Sequence, residues 1–117
     1  MLHERILVCG GRDFTDEARV FAVLDEARQW FAKDFCIIVG GAKGADRFGG
    51  VWAEARGVCC ILVRAPWTYY GLSAGPIRNR WMLNFCKPDL VVAFPGGNGT
   101  KDMVDISRSA GVAVYAL

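Results

Sequence analysis

Five short runs of continuous apolar residues constrain this chain more than any other feature: Ile6 to Cys9, Cys36 to Val39, Cys59 to Val63, Leu90 to Phe94 and Val112 to Tyr115. They are rich in β-branched residues and do not alternate with polar ones, the mark of strands buried on both faces of a parallel sheet. Three of them run into paired glycines: Gly10-Gly11 before Arg12-Asp13, Gly40-Gly41 before Ala42-Lys43-Gly44-Ala45-Asp46, and Gly96-Gly97 before Asn98-Gly99-Thr100. In an open parallel sheet such loops share the carboxyl edge, where ligands bind, and each precedes a helix whose free N–H groups attract anions. Three glycine loops on one edge point to a phosphate-bearing ligand.

Helical spacing fills the intervals. Val20, Leu24, Ala27 and Phe31 form one stripe, with Thr15 as the expected N-cap and Asp16 and Glu17 suited to the positive end of the helix dipole. Phe48, Val51, Trp52 and Ala55 form a second, ending at Gly57, although Gly49 and Gly50 weaken it as a helix unless packing supports it or something must approach closely. A third is expected from Pro76 to just before Pro88, with Ile77, Trp81 and Phe85 inward. Met103, Ile106, Ser107 and Ala110 mark a fourth, stopped by Gly111. The order βαβαβαβαβ predicts one right-handed, three-layer α/β domain: a five-stranded parallel sheet with helices on both faces. At 117 residues the chain has room for one such domain, spanning 1–117, and for a self-sufficient core.

A formal charge of +2 with no run of like charge gives little reason to expect a nucleic acid or membrane partner. The five cysteines, Cys9, Cys36, Cys59, Cys60 and Cys86, form no C-x-x-C and read as buried free thiols in a reducing compartment; Cys59 and Cys60 are expected in the core. With His3 the only histidine, no metal site is expected, and no cofactor beyond the ligand itself. The amino terminus lacks the pattern of a signal peptide and no stretch is long enough to span a bilayer, so the expected location is cytoplasmic.

Standard nucleotide motifs fail. Lys43 is followed by Gly44 rather than Ser or Thr, which removes a P-loop, and Gly97-Asn98-Gly99 lacks the third glycine of a dinucleotide fingerprint. Gly71-Leu72-Ser73-Ala74-Gly75 spells a nucleophile elbow, but His3 precedes the serine and no strand leads into Gly71, so Ser73 reads as a turn or cap residue. Arg78 falls in the first turn of its helix, leaning toward the shared edge, where its fork suits phosphate or carboxylate; Arg12 suits the same task or a solvated one, and Arg80 points elsewhere. Asp13, Asp46 and Asp102 sit near helix starts, where a carboxylate caps N–H groups or binds ribose hydroxyls. Trp67, in the connector Ala65 to Gly71 with Tyr69 and Tyr70, either plugs the core or stacks on a flat ligand. Trp30, Trp52 and Trp81 lie on apolar stripes and are expected in the core.

These segments together resemble the SLOG superfamily, in particular its small YspA-like, YpsA-related branch, over essentially the whole chain. The resemblance rests on Gly10 to Phe14, Gly40 to Asp46, Ala65-Pro66-Trp67, Gly71 through Gly75-Pro76-Ile77-Arg78-Asn79 with Met82, and Phe94-Pro95-Gly96-Gly97-Asn98-Gly99-Thr100. It implies a Rossmann-like fold that binds a nucleotide or nucleotide-derived ligand at these loops, through Gly10, Gly11, Arg12, Asp13, Gly40, Gly41, Ala42, Gly44, Asp46, Trp67, Arg78, Asn79, Pro95, Gly96, Gly97, Gly99 and Thr100. More distantly the chain is similar to LOG-type phosphoribohydrolases, whose Pro-Gly-Gly-x-Gly-Thr-x-x-Glu is matched from Pro95 to Thr100 and whose Arg-x-x-x-Met is matched by Arg78 and Met82. Their final glutamate is here Met103, whose thioether can neither take a proton nor steady a cationic ribosyl centre.

Binding or sensing of a nucleotide, ADP-ribose-like or NAD-like ligand is therefore the leading expectation. The alternative is an N-glycosidase acting on a nucleoside monophosphate, with Arg78, Asp102 and Asp46 as candidate catalytic residues; Asp102 adjoins the missing glutamate, but one residue turns its side chain about a hundred degrees around a helix. The resemblance further implies self-association, because LOG-like proteins build sites at dimer interfaces. It also reaches DprA, which handles single-stranded DNA, a role that the small charge argues against.

Overall fold

The computed structural model describes residues 2–117. Its strands are β1 (His3–Cys9), β2 (Phe31–Val39), β3 (Cys59–Leu62), β4 (Leu90–Ala93) and β5 (Ala113–Ala116), all parallel in the order β3-β2-β1-β4-β5. Alternation along each central strand divides the core between the faces. Ile6, Val8, Ile37, Val39, Val92 and Phe94 face one layer, while Leu7, Cys9, Ile38, Val91 and Ala93 face the other. Helices α1 (Glu17–Ala27) and α2 (Ala45–Arg56) cover the first face through Val20, Leu24 and Trp52; α4 (Ala74–Trp81) and α5 (Asn98–Ser109) lie on the second, where Met82 and Met103 are buried. A short helix, α3 (Trp67–Tyr70), and a 3-10 turn at Gly71–Ser73 lead into α4. This is the Rossmann-like α/β architecture expected from the strand pattern.

Several local expectations give way. Asp16, not Thr15, caps α1, its carboxylate accepting from the Arg19 N–H at 3.0 Å. The α1 stripe stops at Ala27: a 3-10 turn at Arg28–Trp30 intervenes and Phe31 opens β2, its ring tilted against that of Phe35 at 4.8 Å between centroids. In α2 the inward residues are Gly49, Trp52 and Ala53, while Val51 is exposed. Gly49 is the glycine that serves close approach: a Cβ there would stand 3.0 Å from Val8 Cγ1 and 3.3 Å from Val39 Cγ1. The buried Trp52 Nε1–H donates to Asp25 at 2.8 Å, and Arg56 adds a forked pair to the same carboxylate, which holds Asp25 down at about 2 and clamps α2 to α1.

The third predicted helix begins earlier, at Ala74, and widens into a π-helical segment at Met82–Cys86. A π turn takes an extra residue per revolution, so the face shifts past Trp81. Ala74, Asn79 and Met82 point inward, and Phe85 stands 77% exposed rather than buried. Lys87, at φ 49°, ends the segment before Pro88. Trp52 alone of the three expected core tryptophans is fully buried; Trp30 is exposed and packs edge-on against Tyr115.

Cysteine burial differs as well. Cys9 is buried and Cys36 and Cys86 are half-buried, but Cys59 and Cys60 are exposed. The cause is sheet order: β3 pairs with β2 alone and forms an edge, where helical cover thins. Among the described residues no helix is long and apolar enough to cross a membrane.

Candidate functional site

The sheet reverses direction of winding between β1 and β4, neighbours in space but far apart in sequence, and the loops after them part to leave the crevice that suits a ligand in open α/β sheets. A cleft of about 700 Å³ opens there. Backbone contacts bring its walls together: the Gly11 N–H donates to Pro95 O at 2.9 Å, tying the β1 and β4 loops, and the Ala45 N–H reaches Gly11 O at 3.5 Å, tying in the β2 loop. Gly44 must be glycine twice over, at φ 83° and with its missing Cβ position occupied by the Gly11 carbonyl oxygen. Gly96 is similarly pressed between Gly11 and the Thr100 hydroxyl. Gly44, Pro95 and Gly96 are thus residues of loop assembly, outside the cleft lining.

The other predicted ligand residues do converge on the cleft. Gly10, Gly11, Arg12 and Asp13 line it from the β1 loop; Gly40, Gly41, Ala42 and Asp46 from the β2 loop. Gly97, Gly99 and Thr100 close the β4 side, and Trp67, Arg78 and Asn79 close the top. Trp67 is 53% exposed at the rim, and Tyr69 and Leu72 are more exposed still, so this connector is not a plug over the core. Two cations of the lining were not among the expected ligand residues: Lys43, which the sequence offers only as a failed P-loop lysine, and Arg64, which belongs to no motif.

Two consecutive residues of α4 hold the site together. Arg78 donates from Nη1 to the Gly40 carbonyl at 2.6 Å and from Nε to Asn79 Oδ1 at 3.3 Å. Buried Asn79 donates in turn to Gly99 O at 3.2 Å and to Asp102 Oδ2 at 3.0 Å. The pair therefore bridges the β2 and β4 loops, and the remaining guanidinium N–H groups have no protein acceptor among the described residues. Beneath them, Asp46 Oδ2 accepts the Gly40 N–H at 3.1 Å. Burial pushes the Asp46 carboxyl up to about 6, against the opposing pull of Arg78 and of the Gly40 and Gly10 N–H groups. Burial also pushes the Cys9 thiol up, with Asp46 adding to it.

Asp102 is engaged differently. It accepts from Asn79 and from Arg80 at 3.3 Å, clamping α4 to α5. Arg80 thus has a partner, although it lies outside the cleft lining. Met103 is 1% exposed and lines the floor beside Met82 and Cys9, placing apolar surface where LOG-type enzymes carry glutamate. Ser73 is exposed in its 3-10 turn and lines no part of the cleft.

A wholly parallel, Rossmann-like sheet with a glycine-walled cleft at its winding switch defines the class of protein. Within that class, the chain belongs to the YspA, cpYpsA-related SLOG family, whose model matches residues 4–70, the stretch carrying the first two glycine loops and Trp67. It is 32% identical over 117 residues to the Gene 61 protein of Mycobacterium phage D29, across 94% of this chain and 93% of that one. Its fold is similar to that of DNA processing protein A (DprA) from Streptococcus pneumoniae, with a TM-score of 0.77 and 18% identity over 97% of this chain. The chain spans 50% of the length of that DprA chain, and the likeness concerns fold.

Proposed function

We propose that the chain binds or senses a nucleotide or nucleotide-derived small molecule in the cleft at the β1–β4 switch. The observation that carries this reading is the Arg78 fork, fixed by Gly40 and Asn79 at the meeting point of two glycine loops with N–H donors to spare. Such a preorganised guanidinium matches phosphate oxygens, and the N–H groups opening α5 supply a second set of donors for the same anion. Trp67 at the rim offers a flat face for a base, and Asp13 offers acceptors for ribose hydroxyls. Family membership and a shared fold support a nucleotide-related role in general terms.

The test is binding of a panel of nucleoside phosphates and ADP-ribose to the parent and to Arg78→Ala. A ligand of the parent is expected to bind the variant about tenfold more weakly or worse, the loss of a charge-assisted contact. Unaltered affinity in a variant that melts normally would sink the assignment.

One feature favours a second reading, N-glycosidic cleavage of the bound nucleotide: Asp46 lines the same cleft as a buried carboxyl, and burial pushes it up to about 6, within the range useful to a general acid. Asp102 is less suited because Asn79 and Arg80 engage it. This reading requires free base in mass spectra of incubated ligand and its loss in Asp46→Asn; recovery of intact ligand only would exclude it.

A further inference from the structure

Beside the cleft, a groove of about 380 Å³ is lined by residues of α2 and of the edge strand β3. We infer that this groove is the second arm of the same site, and that the ligand is two-armed: two ring-bearing groups joined through phosphate, as in a small dinucleotide. The inference rests on the nucleotide reading of the cleft.

The two cavities adjoin. Gly41, Lys43, Asp46 and Arg64 line both of them. Gly41 contributes no side chain to this shared lining; a Cβ there would lie 2.7 Å from Leu62 Cδ1 and 3.8 Å from Arg64 Cγ, in space beside the groove. The shared lining carries two cations beside the buried Asp46 carboxyl. These are Lys43 and Arg64; Arg47 follows along the groove, and among the described residues none of the three forms an ion pair. Other basic residues, Arg56, Arg80 and Lys101, are already paired with carboxylates. A phosphate bridge crossing the shared lining would thus meet two uncommitted cations while its two ends occupy different cavities.

The far arm of the groove is built for a flat, largely apolar group. Its surface comes from Val51, 39% exposed, Leu62, 47% exposed, and the exposed Cys60, on a floor of Val39. Gly50 gives it height: a Cβ there would find only Val39 Cγ2, at 3.9 Å. Glycine at this place costs the helix stability and does not serve packing as its neighbour Gly49 does, so open space is what it provides. Glu54 adds an acceptor for a ring amine or a ribose hydroxyl. The volume lies within the range of small-molecule sites.

The experiment compares each mononucleotide with a two-armed relative, AMP with NAD and GMP with the linear guanine dinucleotide, by calorimetry on the parent and on Gly50→Leu. Leucine is a better helix former than glycine, so the variant should fold while filling the groove. We expect a two-armed ligand to bind the parent about tenfold tighter than its half, since the second arm docks intramolecularly, and Gly50→Leu to abolish that advantage with mononucleotide affinity within about twofold of the parent. A second readout is thiol labelling. Cys60 lines the groove while Cys59 sits beside Cys36 on the other face, so a two-armed ligand should protect Cys60 against maleimide, leave Cys59 reactive, and do so where the mononucleotide does not. Equal affinity for half and whole, or an unprotected Cys60 in the saturated complex, overturns the two-armed site and leaves the cleft reading standing. Absence of binding by all four compounds overturns the two-armed site as drawn here, and absence of binding across the wider panel of nucleoside phosphates and ADP-ribose removes the cleft reading as well.

Discussion

Asp46 concentrates the chemistry of the site in one side chain. Its position near the start of α2 suggests a cap, yet its carboxylate reaches back across the loop to the Gly40 N–H, a contact that depends on how the loop closes and that no spacing rule contains. Desolvation there outweighs Arg78 and the N–H donors, so the folded protein keeps the proton to about pH 6, whereas the unfolded chain releases it near the ordinary carboxylate value. Between those values the native state binds more protons. The Asp46 contribution to stability is therefore greatest below the ordinary value, falls as pH rises, and levels off above about pH 6, having lost about 3 kcal/mol. Denaturant titrations across that interval should show the decline in the parent. Asp46→Asn, whose amide oxygen still accepts from Gly40, should show a flatter profile and exceed the parent above pH 6 by about 1–3 kcal/mol. A parent profile with no decline would mean that Asp46 is ionised throughout.

At the scale of elements, α2 explains itself only against the sheet. Two adjacent glycines look equally unfavourable in its sequence, but Gly49 faces Val8 and Val39 while Gly50 faces the groove. Their substitutions should differ in sign. Gly50→Ala should raise stability by about 0.5–1 kcal/mol through helix propensity, whereas Gly49→Val should lower it by about 1–3 kcal/mol by forcing α2 off the strands; thermal melts of the two variants side by side decide the matter. Helix α4 was legible but its start was not: it begins at Ala74 instead of Pro76, which puts Arg78 in the second turn and not the first, and Arg78 still reaches the Gly40 carbonyl. Nor was the far end of α4, because the π segment at Met82–Cys86 turns Phe85 outward and no local residue pattern announces the change of register. Asn79 was visible as part of a motif, while its task of joining Gly99 to Asp102 depends on α5 lying alongside.

Over the whole molecule, net charge and topology bear on which class of partner to test for. With +2 overall and cations gathered around the cleft instead of along a stripe, the chain should not track a nucleic-acid backbone. A labelled single-stranded oligonucleotide is expected to show no binding in physiological salt, and affinity falling steeply with salt in a titration would contradict this reading. The amino-acid sequence by itself determined that five strands form a parallel sheet with helices on both faces, since continuous apolar runs separated by helical stripes fit strands joined by crossover helices, and that three glycine loops share one edge, since every strand points the same way. Tertiary structure alone decided the order β3-β2-β1-β4-β5, and with it everything set by which loops become neighbours. That order brings Gly11 onto Pro95, opens the cleft between β1 and β4, and leaves β3 at an edge where Cys59 and Cys60 meet solvent despite an apolar run that reads as core. Periodicity is a local property of the chain, whereas neighbourhood in a sheet is settled by contacts between residues tens of positions apart, and those contacts appear only when the strands have packed.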